Sequence, residues 1–220
     1  MAQIETTSAV KKYRQRCEDR VDIIHADQRT VIVVADGAGG TGSGDVAAEF
    51  VLRDVKSNYE SIHSANDWVE LLRQTDKQIS AGESTAVVVD IRPYGIAGAS
   101  VGDSQAWIVN NGEILNLTTN QIRKPLLGSG VAQPVGFTGP PLAGLLLVAT
   151  DGFFDYAKRD DITRLVNQTD FFEISRKCIE LVQLPSGELW DDVGIVVGRN
   201  KPKHRTQKNT KSKRKSPYNK

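Results

Sequence analysis

The sequence predicts an α+β layered sandwich, and three observations predict it. A β-branched run, TVIVVA at residues 30–35, has the composition of a strand buried on both faces. Four apolar runs between residues 85 and 117 are separated by turn signals and not by helices, which makes them antiparallel. Helical periodicity is confined to two stretches, one before and one after those strands, so the strict strand–helix alternation of a doubly wound parallel sheet is missing.

The elements follow in order. The strand at 30–35 stops at the glycine-rich loop Asp36-Gly37-Ala38-Gly39-Gly40. Ser43 can then cap a helix carrying Val46, Ala47, Phe50, Val51 and Val55. A second helix starts near Ser64 or Asn66, with Trp68, Val69, Leu71 and Leu72 on its apolar face. Strands are expected at 85–91, 95–101, 105–109 and 113–117, and the step Asn111-Gly112 between the last two is a strong hairpin signal. Together these four read as one antiparallel meander. Residues 121–144, rich in Gly and Pro, read as a long loop. A buried strand at 145–150, a helical stretch from 161 to about 183 and a last strand at 194–197 complete the body.

At 220 residues, with 39% hydrophobic and 25% charged residues, the chain has the size and composition of one globular domain. Its charge is divided. Residues 201–220 hold nine Lys/Arg and no Asp/Glu, which leaves 19 basic against 27 acidic groups in residues 1–200. The body is thus near −8 and the tail near +9. The tail has no aliphatic residue with which to offset the entropy of ordering, so we read residues 1–200 as the domain and 201–220 as a disordered polybasic extension. Such a tail can meet nucleic acid, an anionic membrane or an acidic protein, can fold back on the body, or can serve only solubility. The longest apolar run, 142–149, is too short to span a membrane, and the first residues lack a signal-peptide layout, so a cytoplasmic protein is expected. Cys17 and Cys178 are too few for a disulfide framework and are expected to be reduced thiols.

Acidic residues recur in one unusual setting. Asp36 ends VIVVA, Asp151 ends LLLVAT, and Asp191-Asp192 open into VGIVV. A lone Asp-Gly is an ordinary turn. Several carboxylates at the ends of buried strands, however, would repel strongly at one rim unless a cation lay between them, and oxygen-only donors suit Mg²⁺ or Mn²⁺. The loop at 37–42 precedes a helix but lacks both the Walker lysine and the dinucleotide fingerprint, which argues against nucleotide binding.

In order along the chain stand Glu18-Asp19-Arg20, Asp36-Gly37-Ala38-Gly39-Gly40, Ser84-Thr85-Ala86, Gly102-Asp103-Ser104, Asp151-Gly152-Phe153-Phe154-Asp155 and Asp191-Asp192-Val193-Gly194. This succession, over residues 14–197, resembles the metal-dependent Ser/Thr protein phosphatases of the PPM family, the type 2C phosphatases, and its compactness resembles their bacterial members. The resemblance implies a four-layer α-β-β-α sandwich with two central antiparallel sheets. It implies a binuclear Mg²⁺ or Mn²⁺ centre bridged by Asp36, with Asp151 and Asp191 on one ion. The carbonyl of Gly37, and Glu18 through water, would serve the other. Asp192 is the alternative to Asp191. Asp103 matches a residue that in some members binds a third ion. Arg14 matches the phosphate-binding arginine, with Arg16 as its alternative. The implied reaction is hydrolysis of phosphoserine and phosphothreonine by a water that the two cations acidify, with no covalent phosphoenzyme.

The sequence departs from the family at Ala38, where some relatives place a proton-donating histidine, at Gln105, where arginine is usual, at Thr119-Asn120-Gln121, and in the shortness of the 121–144 loop. His25, His63 and His204 stand at no ligand spacing. Trp68 and Trp107 read as core or rim aromatics, and Trp190, beside Asp191, as one that can line the site. The reading from another class is a catalytically weak PPM-fold sensor or adaptor that binds partners or polyanions through the tail. The expected partners are a phosphoprotein, a cognate Ser/Thr kinase and whatever the tail contacts, and a monomer is expected.

Overall fold

The computed structural model describes residues 3–13, 15–38 and 42–202. Arg14, residues 39–41 of the glycine loop and residues 203–220 of the polybasic segment lie outside the described residues.

Among the described residues two five-stranded antiparallel sheets stack face to face. One has the order β1 (Ile4–Lys11), β10 (Val193–Asn200), β9 (Leu145–Ala149), β6 (Gln105–Asn110), β7 (Glu113–Asn116). The other runs β2 (Asp19–Ala26), β3 (Arg29–Asp36), β4 (Ala86–Arg92), β5 (Gly95–Val101), β8 (Val135–Gly139). Helices α1 (Gly44–Asn58) and α2 (Ala65–Gln78) cover the second sheet. The first is covered by α3 (Asp151–Phe154), α4 (Arg159–Gln168) and α5 (Ile174–Val182). The apolar core is correspondingly threefold. Val31, Val33, Val51, Trp68 and Leu72 pack between α1, α2 and their sheet. Ile32, Val34, Val87, Leu146 and Val196 fill the space between the sheets. Leu147, Phe153, Ile174 and Ile195 pack beneath the other helices. This is the α+β layered sandwich that the sequence predicts, in the four-layer α-β-β-α form that the resemblance implies, and the alternation within β3, odd residues to one core and even to the other, explains why that run is apolar throughout.

Three expectations need correction. The strands from 85 to 117 are not one meander. β4–β5 and β6–β7 are hairpins in different sheets, and the turn at Gly102-Asp103-Ser104 carries the chain across, with Gly102 at φ +95° against the Thr85 side chain. The segment 121–144 is not all loop, because β8 pairs with β5, and the Asp76 carboxylate accepts from the backbone N–H of Gly128, Gly130 and Ala132. The helical stretch 161–183 is broken, with α4 starting at Arg159 and a 3₁₀ turn at Phe171–Glu173, capped by Asp170, leading into α5. Ser64 caps α2 through a reciprocal box with Asp67, whereas Ser43 stands at the N-cap of α1 without a side-chain cap bond. The step Asn111-Gly112 adopts the doubly positive φ (51° and 86°) of the predicted hairpin turn. No helix among the described residues is long and apolar enough to cross a membrane.

Candidate metal centre

The acidic residues meet at one end of the stacked sheets because strand register puts them there. Asp36 closes β3 and Asp19 opens β2, and the two are direct cross-strand partners. Like charges opposite one another cost free energy unless neutralised. The backbone of Asp36 is fixed from the neighbouring strand: its N–H donates to Thr85 Oγ1 (3.0 Å), and its carbonyl accepts from Thr85 N (2.8 Å) and Ser84 Oγ (3.0 Å). Thr85 Oγ1 is in turn 2.7 Å from Ser104 Oγ, next to Asp103. The Ser84-Thr85 pair quoted from the sequence therefore ties the Asp36 strand end to the Asp103 turn. A Cβ at Gly37 would lie 2.2 Å from the backbone of Gly44, so only glycine lets this loop pass under α1.

Asp151 opens α3 directly after β9. Its neighbour Thr150 donates to Asp19 Oδ2 (2.8 Å) and accepts from Gly194 N (3.0 Å), joining β9, β2 and β10. Gly152 is not the turn glycine that Asp-Gly suggests. It sits in a helix, where a Cβ would come within 1.9 Å of the Asp192 carbonyl oxygen. The two aspartates before β10 have separate environments. Asp192 is buried, and its two oxygens accept from Tyr13 N (2.6 Å) and Glu18 N (2.7 Å), clamping the β1–β2 loop. Asp191 is exposed and receives the Asp192 N–H on Oδ1 (2.9 Å).

One carboxylate oxygen from each of Asp36, Asp103 and Asp151 lies within 4.8 Å of the others. Burial first, then the charges of Asp19, Asp151, Asp191 and Asp103, push the Asp36 carboxyl far above the usual range. Burial likewise raises Asp19, with Asp192 and Asp151 adding to it, while the Thr150 hydroxyl opposes. Asp151 is pushed up to about 6 by burial, then by Asp103 and Asp191. This is the electrostatic signature of a site short of positive charge. Asp19 Oδ1 is buried with no hydrogen-bond partner among the described residues. The donors are all oxygen, which fits hard divalent cations such as Mg²⁺ or Mn²⁺.

Of the residues expected at the site, the structure groups Asp36, Asp103 and Asp151, and Asp191 is near enough for its charge to act on Asp36 and Asp151. Gly37 and Glu18 adjoin them through the Gly37 N–H on the Glu18 carbonyl (3.3 Å). Arg14 is outside the described residues, and its alternative Arg16 is ion-paired with the buried Asp45 at the start of α1. Sequence reasoning assigned no role to Asp19, Thr150 or Arg123. Arg123 reaches Asp103 with Nη2 to Oδ2 at 2.8 Å. The loop bearing Arg123 is pinned on both sides, by Gly102 N on the Ile122 carbonyl and by the reciprocal pair Ser84 and Leu127. A polar cleft of about 270 Å³, bordered by Asp103, Gln105, Asn116, Thr118, Arg123 and Asp155, opens beside Asp103. Gln105, standing where arginine was expected, accepts from Trp107 Nε1 and Asn116 Nδ2. Burial raises both thiols to about 12, which makes neither Cys17 nor Cys178 a thiolate nucleophile.

No protein-family model matches the chain. It is 24% identical over 213 residues to a putative protein phosphatase 2C-type of Streptococcus pyogenes serotype M6, covering 78% of this chain and 86% of the relative. It is 23% identical over 157 residues to the serine/threonine phosphatase stp of Listeria welshimeri, where 63% of this chain spans 62% of the relative. Among solved structures, the catalytic domain of the serine/threonine protein phosphatase PstP, in complex with two manganese ions, superposes with a TM-score of 0.76. That match has 18% identity and covers 90% of this chain and 98% of that domain. The fold is therefore that of the PP2C-type phosphatases. In sequence the chain is likewise similar to bacterial protein phosphatases of the 2C type.

Proposed function

We propose that the protein is a Mg²⁺- or Mn²⁺-dependent serine/threonine phosphatase, hydrolysing phosphoserine and phosphothreonine to the free hydroxyl and inorganic phosphate. The observation that carries this reading is the convergence of the Asp36, Asp103 and Asp151 carboxylates within 4.8 Å on a fold shared with PP2C-type phosphatases. In this reading Asp36 would serve both cations, Asp151 and Asp191 would help hold one, and the Gly37 carbonyl, with Glu18 through water, would help hold the other. Asp103 with Asp151 would hold a third cation, and Arg14 would bind the phosphoryl oxygens. Bound cations supply charge neutralisation at the phosphoryl group and lower the pKa of water toward neutrality.

The chain's own residues do the rest. The Thr85, Ser84 and Thr150 hydrogen bonds hold the carboxylates at fixed strand ends, so little reorganisation accompanies the reaction. Asp192 anchors Tyr13 and Glu18 through their backbone N–H groups. With Ala38 in place of a histidine, the departing serine or threonine oxygen takes its proton from water, so slow turnover of poor leaving groups follows.

Residues 1–200 form the catalytic unit in this reading, and the polybasic segment 201–220 stands outside it, available to a nucleic acid, an anionic membrane or an acidic protein. A cytoplasmic monomer opposed by a cognate Ser/Thr kinase completes the proposal. The test is phosphate release from a phosphothreonine peptide with Mn²⁺, Mg²⁺ or EDTA, for the wild type and Asp151→Asn. Metal-dependent release that the substitution abolishes supports the reading. Cation binding without release would favour the sensor.

A further inference from the structure

Beside the carboxylates stands an aromatic wall that the hydrolytic reading leaves unused. Tyr156 and Trp190 stack almost parallel, with ring centroids 6.2 Å apart and planes inclined by 15°, and they are 46% and 56% exposed. They come from separate segments that each bear a site carboxylate: Tyr156 follows α3, whose first residue is Asp151, and Trp190 directly precedes Asp191. A third exposed aromatic, Tyr13, belongs to the β1–β2 loop, its backbone N–H on Asp192. The Tyr156 hydroxyl is held above its ordinary pKa by burial and then by the charges of Asp191, Asp155 and Asp151, so it feels the acidic centre.

We propose that the Tyr156–Trp190 pair, with the exposed carboxylate of Asp155, is the subsite for a basic side chain, Arg or Lys, that flanks the phosphorylated residue of the protein substrate. The proposal rests on the phosphatase reading and deepens it. Two half-exposed aromatic faces held parallel do not contribute to the core, but they offer a planar surface on which a guanidinium stacks while its hydrocarbon stem covers the ring. Elsewhere the molecule uses this contact internally, with Arg199 4.1 Å from the Phe171 ring centroid and Arg159 5.1 Å from that of Trp107. Among the described residues no guanidinium lies over Tyr156 or Trp190, and both rings are about half exposed. Charge complementarity selects a cation over an apolar group. Asp155 and Asp191 border the wall, and residues 1–200 carry 27 acidic against 19 basic groups. Asp155 is not among the assigned cation ligands, so its charge persists when the centre is filled.

The experiment compares phosphothreonine peptides that differ at one flanking position, Arg, Lys, Leu, Ala or Glu, scanned over the three residues on either side. The enzymes are the Mn²⁺-loaded wild type, Trp190→Ala, Trp190→Phe and Tyr156→Ala. The wild type is expected to favour Arg over Ala at one position by about three- to tenfold in kcat/KM, mainly through KM. Trp190→Ala and Tyr156→Ala should erase that preference, so that Arg and Ala peptides are used alike, while Trp190→Phe keeps part of it. Equal use of Arg and Ala peptides by the wild type, a preference for Leu over Arg, or a Trp190→Ala variant that slows every peptide alike would overturn the subsite. Failure of the phosphatase reading looks different, because no peptide is then hydrolysed by any of the proteins.

Discussion

Asp36→Asn should stabilise the cation-free protein while it destroys the cation site. Asp36 faces Asp19 directly across two strands and lies within 4.8 Å of Asp103 and Asp151 through one oxygen each. Its carboxyl ionises near 4 in an unfolded chain and far higher in the fold. Between those two values the folded state binds the extra proton, so stability falls as pH rises. Asp151, pushed up to about 6, acts in the same direction in the lower part of that window. At pH 7.5 the folded chain holds on Asp36 a proton that the unfolded chain releases, which costs ~1.4 kcal/mol per pH unit above the unfolded value and so at most ~5 kcal/mol, and water entry and relaxation reduce the net penalty to about 2–3 kcal/mol. Asn keeps the shape, removes the charge and can donate to Asp19. At ~2–4 °C per kcal/mol for this chain length, thermal unfolding in EDTA should show Asp36→Asn about 5–10 °C above wild type. Acidification from pH 7.5 to 5.5 should stabilise the wild type more than the variant, and Mn²⁺ should raise the midpoint of the wild type alone. A lower midpoint for Asp36→Asn in EDTA, or a wild type that loses stability on that acidification, would refute the electrostatic argument.

Three further outcomes follow from the same geometry. Arg123→Ala removes the guanidinium that pairs with Asp103 and should tighten the weakest-bound Mn²⁺ by about two- to fivefold in calorimetry, with no such effect in an Asp103→Asn background. Asp192→Ala leaves the N–H groups of Tyr13 and Glu18 without their acceptor and should cost about 2–4 kcal/mol in urea unfolding, whereas Asp191→Asn, at an exposed position, should change stability little and cation binding much. Gly152→Ala drives a methyl into the Asp192 carbonyl oxygen and should weaken Mn²⁺ binding at least tenfold, read by equilibrium dialysis, because Asp151 and the 191–192 segment must part.

The legible part of the fold was its interior. β3, β4, β9 and β10 have strand neighbours on both sides, and β3 and β9 read as the unbroken apolar runs that such burial demands. β1, β2 and β8 lie at sheet edges, and their sequences IETTSAVK, DRVDIIHA and VGFTG carry no comparable run, so periodicity passes over them. The edge strand β7 was readable only through its Asn-Gly turn. The site follows the same logic. Asp36 and Asp151 announce themselves at the ends of apolar strands, but Asp19 does not, because what makes it important is its register opposite Asp36 in a strand the sequence hides. Arg123 is invisible for another reason: its place beside Asp103 depends on two long-range backbone pairings, Ile122 with Gly102 and Leu127 with Ser84. Conversely, Asp191 and Asp192 are equivalent in sequence, and only the Tyr13 and Glu18 N–H groups separate a buried clamp from an exposed carboxylate.

The central claim is that strand-end carboxylates converge on Asp36 to hold a pair of cations. Its most direct test is the number of Mn²⁺ ions retained per chain in equilibrium dialysis near neutral pH, measured for the wild type and Asp36→Asn. Two or more ions on the wild type and loss of both of the tight ones on the variant are expected, since Asp36 is the ligand they would share. A wild type that retains none, or a variant that retains as many as the wild type, would contradict the account.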